Sequence, residues 1–422
     1  MENKTTLFAF FALLLIHGFC ISKGDDDILA PMEMEEKEAL YLTIQGFIGK
    51  WWNGSDLYPD PCGWTPIQGM SCDFLDGFWH VSVLSIGQVY DNSLNCSPNA
   101  EFDSHLFQLK HLRRLSFSNC FLSSHRTASV RIPSMSDWSK LANGLEYLEF
   151  RLNPGLTRTI HNAFGCLINL ESLVLVENGL TGELPFELGN LVQLKRLVLA
   201  GNRFFGQIPA SLGGLTELLI FDASRNFLSG PLPITLGGLI SLIKLDLSNN
   251  QVGGKFPGEI GNLKNLTLAD LSCNNFSGGL PESIQEMPSL QELLLSKNPN
   301  LGADLMVISW KNLQNLEVLD LSYTGTTGNV PESVSELKQL RFLGLNNNHL
   351  SGSIPQSFQS LPSISSLYLD GNDFSGKLEF PEWFYEKMGS RFRVSDNPNL
   401  CCTLQNMSSR HVPVGIRTCD QH

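Results

Sequence analysis

Two stretches of this 422-residue chain decide its fold: LVQLKRLVLAGNRFFGQIPASLGG (residues 191–214) and LISLIKLDLSNNQVGGKFPGEIGN (residues 239–262). They share the pattern LxxLxxLxLxxNxFxGxxP, with valine in the phenylalanine position of the second stretch. The asparagine of the pattern recurs at 24-residue steps from Asn178 to Asn298. A fixed period of this length indicates a stacked repeat, so chain length does not set the number of domains here.

Each repeated position has a physical role. The LxL alternation predicts a short strand whose leucines face inward and whose intervening residues face outward. The asparagine amide can satisfy backbone groups where the chain leaves the strand, so that stacked asparagines form a ladder. The glycine suits a turn, and the proline fixes φ on the outer side. One coil cannot bury its own leucines, so the coils must stack into a continuous core lined by a curved parallel sheet.

The repeat resembles that of plant-type leucine-rich repeat proteins. The resemblance implies an α/β repeat solenoid, a right-handed horseshoe of about twelve 24-residue coils with Cys-bounded N- and C-terminal caps. DPCGWTPIQGMSCD (residues 60–73) is similar to the N-terminal cap of this family, which implies that Cys62 pairs with Cys72. The wider cap sequence, a long early insertion and the absence of a kinase are similar to a secreted or membrane-associated receptor-like group. Twelve residues mark the ladder: Cys120, Asn153, Asn178, Asn202, Asn226, Asn250, Asn274, Asn298, Thr324, Asn348, Asn372 and Asn397.

Nine cysteines remain once Cys20 is removed with a signal peptide, and most lie near the two ends of the chain. This placement favours disulfides, and the odd number leaves at least one thiol unpaired or joined to another chain. Besides the cap pair, we expect Cys96 to pair with Cys120. Cys419 pairs with either Cys401 or Cys402, since adjacent cysteines cannot both make that bridge without strain. Cys166 and Cys273 are expected to be structural thiols.

The N-terminus predicts secretion, because Lys4 precedes an apolar run from Leu7 to Ile16 and small residues follow. Acceptor sequons for N-glycosylation stand at Asn53, Asn95, Asn265, Asn275 and Asn406. No apolar stretch of about 20 residues follows the C-terminal NPNLCCTLQNMSSRHVPVGIRTCDQH, so we expect no transmembrane helix in the mature chain and no output domain.

The expected location is the apoplast, or the cell membrane by peripheral association. The predicted segments are a signal peptide (1–24), an acidic segment with the N-terminal cap (25–105), the repeats (106–397) and the C-terminal cap (398–422).

Charge and motif content exclude several function classes. The chain has 29 Lys and Arg residues against 42 Asp and Glu residues, which argues against a nucleic-acid partner. No nucleophile elbow, HExxH motif, phosphate loop or Cys/His metal spacing is present, so we predict no enzyme, cofactor or metal. Asp222, Asp246, Asp270 and Asp320 occupy the same strand position in four coils, and we interpret them as solvated side chains of the common LDLS strand rather than as a cation site.

The concave sheet is the expected working surface, as in other solenoids. Toward the C-terminus its outward positions become aromatic and then basic, and we predict a partner-binding patch of Tyr323, Phe342, Tyr368, Arg391 and Arg393. A second, mixed-charge candidate lies near the N-terminus at Arg114, Tyr147, Glu149 and Arg151. The segment SSHRTASVRIPSMSDWSKLANG (residues 123–144) lengthens one coil, and we interpret it as an extra surface loop.

The leading hypothesis is a secreted, glycosylated binding module of plant cell-surface signalling. It would recognise a protein or peptide ligand, or dock on the ectodomain of a receptor kinase. The resemblance implies a role in perceiving microbes or symbionts, or in development. The alternatives are an extracellular inhibitor of microbial wall-degrading enzymes such as polygalacturonases, which share the repeat, and a structural protein of the cell wall.

Overall fold

The computed structural model describes residues 31–88, 95–122, 130–160, 162–402 and 415–419. The predicted signal peptide and the Asn406 sequon lie outside these residues. A 14-stranded sheet runs through the described part of the molecule, and the strands that the LxL alternation predicted follow one another in it. Neighbouring strands are parallel from β2 onward, whereas β1 and β2 form an antiparallel pair at one edge. The twelve ladder residues each follow one of these parallel strands, so the stacked solenoid is confirmed.

The elements have the following bounds. The main sheet consists of β1 (Met70–Leu75), β2 (Phe78–Gly87), β3 (Arg114–Ser118), β4 (Tyr147–Arg151), β5 (Ser172–Val176), β7 (Arg196–Val198), β9 (Ile220–Asp222), β11 (Lys244–Asp246), β13 (Leu268–Asp270), β15 (Glu292–Leu294), β16 (Val318–Asp320), β18 (Phe342–Gly344), β20 (Ser366–Tyr368) and β22 (Phe392–Arg393). Two five-stranded sheets contain β6 (Thr181–Glu183), β8 (Arg203–Gly206), β10 (Phe227–Gly230), β12 (Gln251–Gly254) and β14 (Asn275–Phe276), then β17 (Thr327–Gly328), β19 (His349–Gly352), β21 (Asp373–Leu378), β23 (Asn399–Cys402) and β24 (Arg417–Thr418). The α-helices are α1 (Met34–Ile48), α2 (Gly54–Leu57), α3 (Met135–Trp138) and α4 (Glu382–Met388).

The ladder asparagines bond as their position in the repeat predicts. Asn226 donates from Nδ2 to the carbonyls of Leu199 (3.0 Å) and Ala223 (3.1 Å), and its Oδ1 accepts from the Phe204 amide (3.0 Å). Asn274, two coils further along the chain, makes the equivalent bonds, and its Oδ1 accepts from the Val252 amide. Each buried amide side chain therefore ties its own coil to the preceding one.

The residue immediately before each ladder position takes a left-handed backbone conformation. Its φ is +55° at Arg225, +54° at Cys273 and +56° at Tyr323, and glycine fills the same place at Gly201 and Gly371. Non-glycine residues adopt this conformation at some cost, which the ladder bonds on either side offset. The side chain at this position is consequently turned away from the core at the end of the strand.

The N-terminal end of the solenoid has an aromatic core. The rings of Phe47, Phe102, Phe117 and Phe150 lie within 6.0 Å of one another in successive pairs. Trp138 from the long insertion is fully buried against Phe150 and Phe164. The interpretation of this insertion as an extra surface loop was therefore wrong for residues 130–144, which fold into α3 and a 3-10 turn over the core; residues 123–129 lie outside the described part.

Disulfides join Cys62 to Cys72 and Cys96 to Cys120 at the N-terminal end. At the C-terminal end Cys401 pairs with Cys419, which resolves the choice left open by the sequence, and Cys402 is a buried free thiol. Cys166 and Cys273 are also free and partly buried. Burial raises the pKa of the Cys166 and Cys402 thiols, so both are held in the protonated form.

Candidate functional site

The outward positions of the main sheet align in rows because its parallel strands are in register. One row runs through Arg114, Tyr147, Ser172, Arg196, Ile220 and Lys244. A second row, two residues further along each strand, reaches from Ser116 and Glu149 to Asp320, Gly344, Tyr368 and Arg393. These side chains point away from the leucine core, so they are available to a partner on the concave face.

A depression of about 640 Å³, here called the N-terminal pocket, opens on the first strands of this face. Its lining includes Arg114, Tyr147, Arg151, Glu171, Lys195 and Arg196. The Arg114 guanidinium lies 4.4 Å from the centre of the Tyr147 ring, and the Tyr147 hydroxyl donates to Glu171 (3.2 Å). These contacts bring together the second, mixed-charge set that the sequence suggested.

The charges in the N-terminal pocket are only partly balanced. Lys195 bonds Glu171 (3.0 Å), which lowers the pKa of Glu171 and raises that of Lys195, and Arg151 pairs with Glu149. Arg114 and Arg196 form no ion pair with an acidic residue among the residues that the structure describes. The pocket therefore presents two cations without an acidic partner in the described part of the chain, one of which, Arg114, lies over the Tyr147 ring.

An apolar floor follows the N-terminal pocket along the sheet. Val174, Val198 and Ala200 are buried together, with Val176 and Ile220 packed at their edge, and this cluster is separate from the leucine core. Because these residues stand at outward positions, the cluster forms the base of the concave face rather than its interior. It gives a ligand an apolar strip between two polar regions.

The four aspartates predicted to be solvated are bound to their own strand ends. Oδ1 of Asp222, Asp246, Asp270 and Asp320 in each case accepts from the amide and the hydroxyl of the serine two residues later. Lys244 lies between Asp222 (3.2 Å) and Asp246 (3.3 Å). Burial raises the pKa of Asp270, with the neighbouring Asp246 carboxylate adding to the effect. The aspartates thus form a negative strip that Leu294 interrupts between Asp270 and Asp320, and their bonds to the serines fix the turn after each strand.

The C-terminal aromatic cluster consists of Phe342, Tyr368 and Arg393. The Phe342 and Tyr368 rings meet edge to face with centroids 5.4 Å apart, and the Arg393 guanidinium lies 4.8 Å from the Tyr368 ring. Arg393 also bonds Asp370 (2.7 Å), so the cation is held over the ring. Phe342 and Tyr368 are half-buried, and the absent side chain of Gly344 leaves room for the Phe342 ring, whose Cε1 a Cβ would meet at 2.9 Å.

Two of the five residues predicted for this patch, Tyr323 and Arg391, do not occupy outward positions of a strand. Arg391 donates to the carbonyls of Lys387 (2.9 Å) and Met388 (3.4 Å), so its guanidinium covers the end of α4. Tyr323 is 51% exposed but occupies the left-handed position after its strand rather than an outward strand position. The remaining three residues form the contiguous cluster, and Tyr323 lies beyond its border.

The four described sequon asparagines, Asn53, Asn95, Asn265 and Asn275, are all exposed. Asn275 begins β14, in a five-stranded sheet that is separate from the concave sheet. Glycosylation at these residues remains a prediction. A sugar on Asn275 would leave the concave rows open.

The fold also assembles a group that the sequence did not suggest. Glu36, His80 and His111 are widely spaced in the chain, yet one ligand atom from each lies within 4.8 Å of the others. Among the described residues they are the group that could hold a metal ion. In the part of the chain that the structure describes, no helix is long and apolar enough to span a membrane.

The chain is similar to plant leucine-rich repeat proteins, including a receptor-like protein. The Leucine rich repeat model matches residues 314–374, and a second Leucine Rich Repeat model matches residues 169–191, 193–215, 241–263 and 265–287. Piriformospora indica-insensitive protein 2 of Arabidopsis thaliana is 50% identical over 180 residues, 41% of each chain. Receptor like protein 29 of Arabidopsis thaliana is 32% identical over 42% of this chain and 37% of its own length. The matched segments thus span less than half of either relative.

A solved structure of the plant peptide hormone receptor RGFR1 in complex with RGF2 has a similar fold. Its TM-score is 0.57, with 27% identity over 72% of this chain and 50% of that chain. The similarity supports the leucine-rich repeat solenoid and shows that a comparable scaffold binds the partner in that complex.

Proposed function

We propose that this leucine-rich repeat protein, whose relatives are plant receptor-like proteins, is an extracellular recognition protein that binds an extended peptide or protein segment along its concave sheet. The bound complex would dock on the ectodomain of a receptor kinase, which would carry the signal. Perception of microbes or symbionts is the process that the similarity to Piriformospora indica-insensitive protein 2 favours.

The observation that carries this proposal is a pair of matched contacts at opposite ends of the concave sheet. Arg114 lies over Tyr147 on β3 and β4, and Arg393 lies over Tyr368 on β22 and β20. Tyrosine and arginine dominate protein interfaces energetically, and a guanidinium held on a ring loses less side-chain freedom on binding. Neither pair contributes to the leucine core, so its arrangement is not required by the fold.

The spacing of the two pairs sets the length of a ligand that contacts both. Nine strand-to-strand steps separate β4 from β20 in the sheet order. At about 4.8 Å per step the path is about 43 Å. An extended chain covers about 3.3 Å per residue, so about 13 residues are needed.

The charges along this path define the ligand chemistry. Arg114 and Arg196 favour acidic groups at one end, and the aspartate column favours basic groups in the middle. The apolar floor and the Phe342–Tyr368 pair favour aliphatic or aromatic side chains. A linear peptide with an acidic, an apolar, a basic and a second apolar segment, in this order, fits the surface.

The partner proposal is tested by measuring binding of the tag-free protein to a panel of purified receptor-kinase ectodomains, with and without plant extracellular peptides. We expect Tyr147→Ala, and Phe342→Ala combined with Tyr368→Ala, each to weaken binding at least tenfold. Phe186→Ala is the control, since Phe186 is 66% exposed on a 3-10 turn outside the concave sheet. Retention of every partner by both concave variants would overturn the proposal.

A direct assay of polygalacturonase activity distinguishes the inhibitor hypothesis from the recognition proposal. The wild-type protein is titrated into a panel of fungal polygalacturonases, and residual activity is measured. The recognition proposal predicts unchanged enzyme activity. Inhibition at sub-micromolar concentration that the concave variants abolish would assign the concave face to enzyme inhibition instead.

A further inference from the structure

The N-terminal cap contains a buried cluster of ionisable groups that the concave surface does not use. Glu36 lies in the first turn of α1, His80 lies in β2, and His111 lies in the turn before β3. Glu36 and His80 are each 7% exposed at the side chain, whereas His111 is 42% exposed. A carboxylate and two imidazoles that converge from three separate segments need a chemical reason, because buried ionisable groups are costly unless they are bound.

We propose that Glu36, His80 and His111 form a site for a divalent transition-metal ion of the zinc type. Glu36 Oε2 is the shared vertex, at 2.6 Å from His80 Nδ1 and 3.9 Å from His111 Nδ1. Zinc bonds of about 2.0–2.2 Å in tetrahedral geometry place ligand atoms about 3.4 Å apart. Both separations differ from that spacing by less than 1 Å, and the ligand atoms of the two imidazoles lie within 4.8 Å of each other.

The environment of the cluster supports a metal ligand set. The second carboxylate oxygen of Glu36 accepts the Val81 amide (2.9 Å), which fixes the orientation of the carboxylate as outer-shell partners do in metal sites. The His80 and His111 rings lie 3.8 Å apart between centroids, and Nδ1 of each ring approaches the same Glu36 oxygen. Two imidazoles with one carboxylate suit zinc, whereas calcium and magnesium prefer oxygen ligands alone.

The position of the site gives it a structural role. An ion bound there links α1 to β2 and to the first repeat strand, next to the cap closed by the Cys62–Cys72 disulfide. Three protein ligands leave a fourth position, which the half-exposed side of His111 opens to solvent. The site would therefore act as a clamp on the cap and would not require the concave face.

Zinc binding is measured by titration calorimetry on chelator-treated, tag-free protein whose free thiols have been alkylated. We expect one zinc per chain, a rise in melting temperature with zinc, and a visible spectrum on cobalt(II) substitution. His111→Ala is the principal variant because His111 is the least buried ligand, and Glu36→Gln is the second. Each should weaken zinc binding by more than about tenfold, the least that even an outer-shell partner contributes. The exposed His349 gives the matched control, His349→Ala.

Two results would overturn the metal site. The first is a wild-type protein that binds no stoichiometric zinc while its melting temperature is unchanged. The second is zinc binding of equal affinity in wild type, His111→Ala and Glu36→Gln. In either case Glu36 and His80 form only a buried hydrogen bond. The double variant Glu36→Gln, His80→Gln should then fold, and its zinc binding and its melting temperature with zinc should match those of the wild type.

Discussion

Replacement of one ladder asparagine tests how the coils are joined. In Asn226→Ala the three carbonyls that accept from Nδ2 keep another donor: Asn202 Nδ2 for Leu199, Asn250 Nδ2 for Ala223, and the Gly201 amide for Ser224. The Phe204 amide instead loses Oδ1, the side-chain acceptor that this asparagine supplies. The dominant effect is therefore one buried N–H without its acceptor.

The magnitude follows from that asymmetry. An unsatisfied buried donor costs about 1–3 kcal/mol, and the lost bonds to carbonyls that remain satisfied add about 1 kcal/mol. We expect the free energy of unfolding to fall by about 2–4 kcal/mol in Asn226→Ala. Threonine at this position can still donate to the carbonyl three residues earlier, as Thr324 does to Leu321 (2.7 Å), but it does not supply the Oδ1 acceptor. Asn226→Thr should therefore lose almost as much stability as Asn226→Ala.

Equilibrium unfolding in guanidinium, followed by circular dichroism, measures these differences. Amide hydrogen exchange of the segment from Leu199 to Gly206 locates the loss, since exchange there should accelerate more than in the distant coils. Asn190→Ala is the control because Asn190 is exposed on a 3-10 turn, and it should change stability by less than about 0.5 kcal/mol. A loss below about 1 kcal/mol in Asn226→Ala, or full recovery in Asn226→Thr, would refute the reasoning.

The remaining predictions concern Asp270 and the free thiols. Because burial raises the folded-state pKa of Asp270, its ionisation opposes folding, and the stability present at low pH is lost as pH rises through that pKa. Asp270→Asn should thus melt at a higher temperature than wild type at pH 7 and at nearly the same temperature at pH 3, and a constant difference across this range would count against the assignment. Alkylation of native protein should modify Cys402 far more slowly than Cys273, since Cys402 is fully buried, and peptide mapping after timed iodoacetamide treatment checks this order. Equal rates would show that the C-terminal cap opens readily.

The repeat architecture was predictable because its determinants are local and periodic. Leucine spacing sets the strands, and the asparagine ladder follows from the amide's need for partners at one fixed place in each coil. The Cys62–Cys72 pair depended on resemblance to a known cap, because spacing alone does not define connectivity. The contiguous part of the concave patch was also accessible from the sequence, since Phe342, Tyr368 and Arg393 occupy outward strand positions.

Features that depend on the third dimension were not accessible from the sequence. Trp138 gave no periodic signal, because it enters the core from an insertion outside the repeat. Arg391 lies at the end of α4, where helix carbonyls bind its guanidinium, and the strand alternation could not reveal this. Glu36, His80 and His111 come from a helix, a strand and a turn, so no spacing rule connects them.

The central claim is that one linear ligand lies along the concave sheet from the N-terminal pocket to the C-terminal aromatic cluster. The most direct test selects binders from a displayed library of 20-residue linear peptides and measures the affinity of successive truncations of the tightest one. The proposal predicts a sharp loss of affinity below about 13 residues, the length set by nine strand steps. It also predicts that this sharp loss of affinity with peptide length disappears in Tyr147→Ala and in the Phe342→Ala, Tyr368→Ala double variant. Affinity that falls smoothly with length and is unchanged in both variants would contradict it.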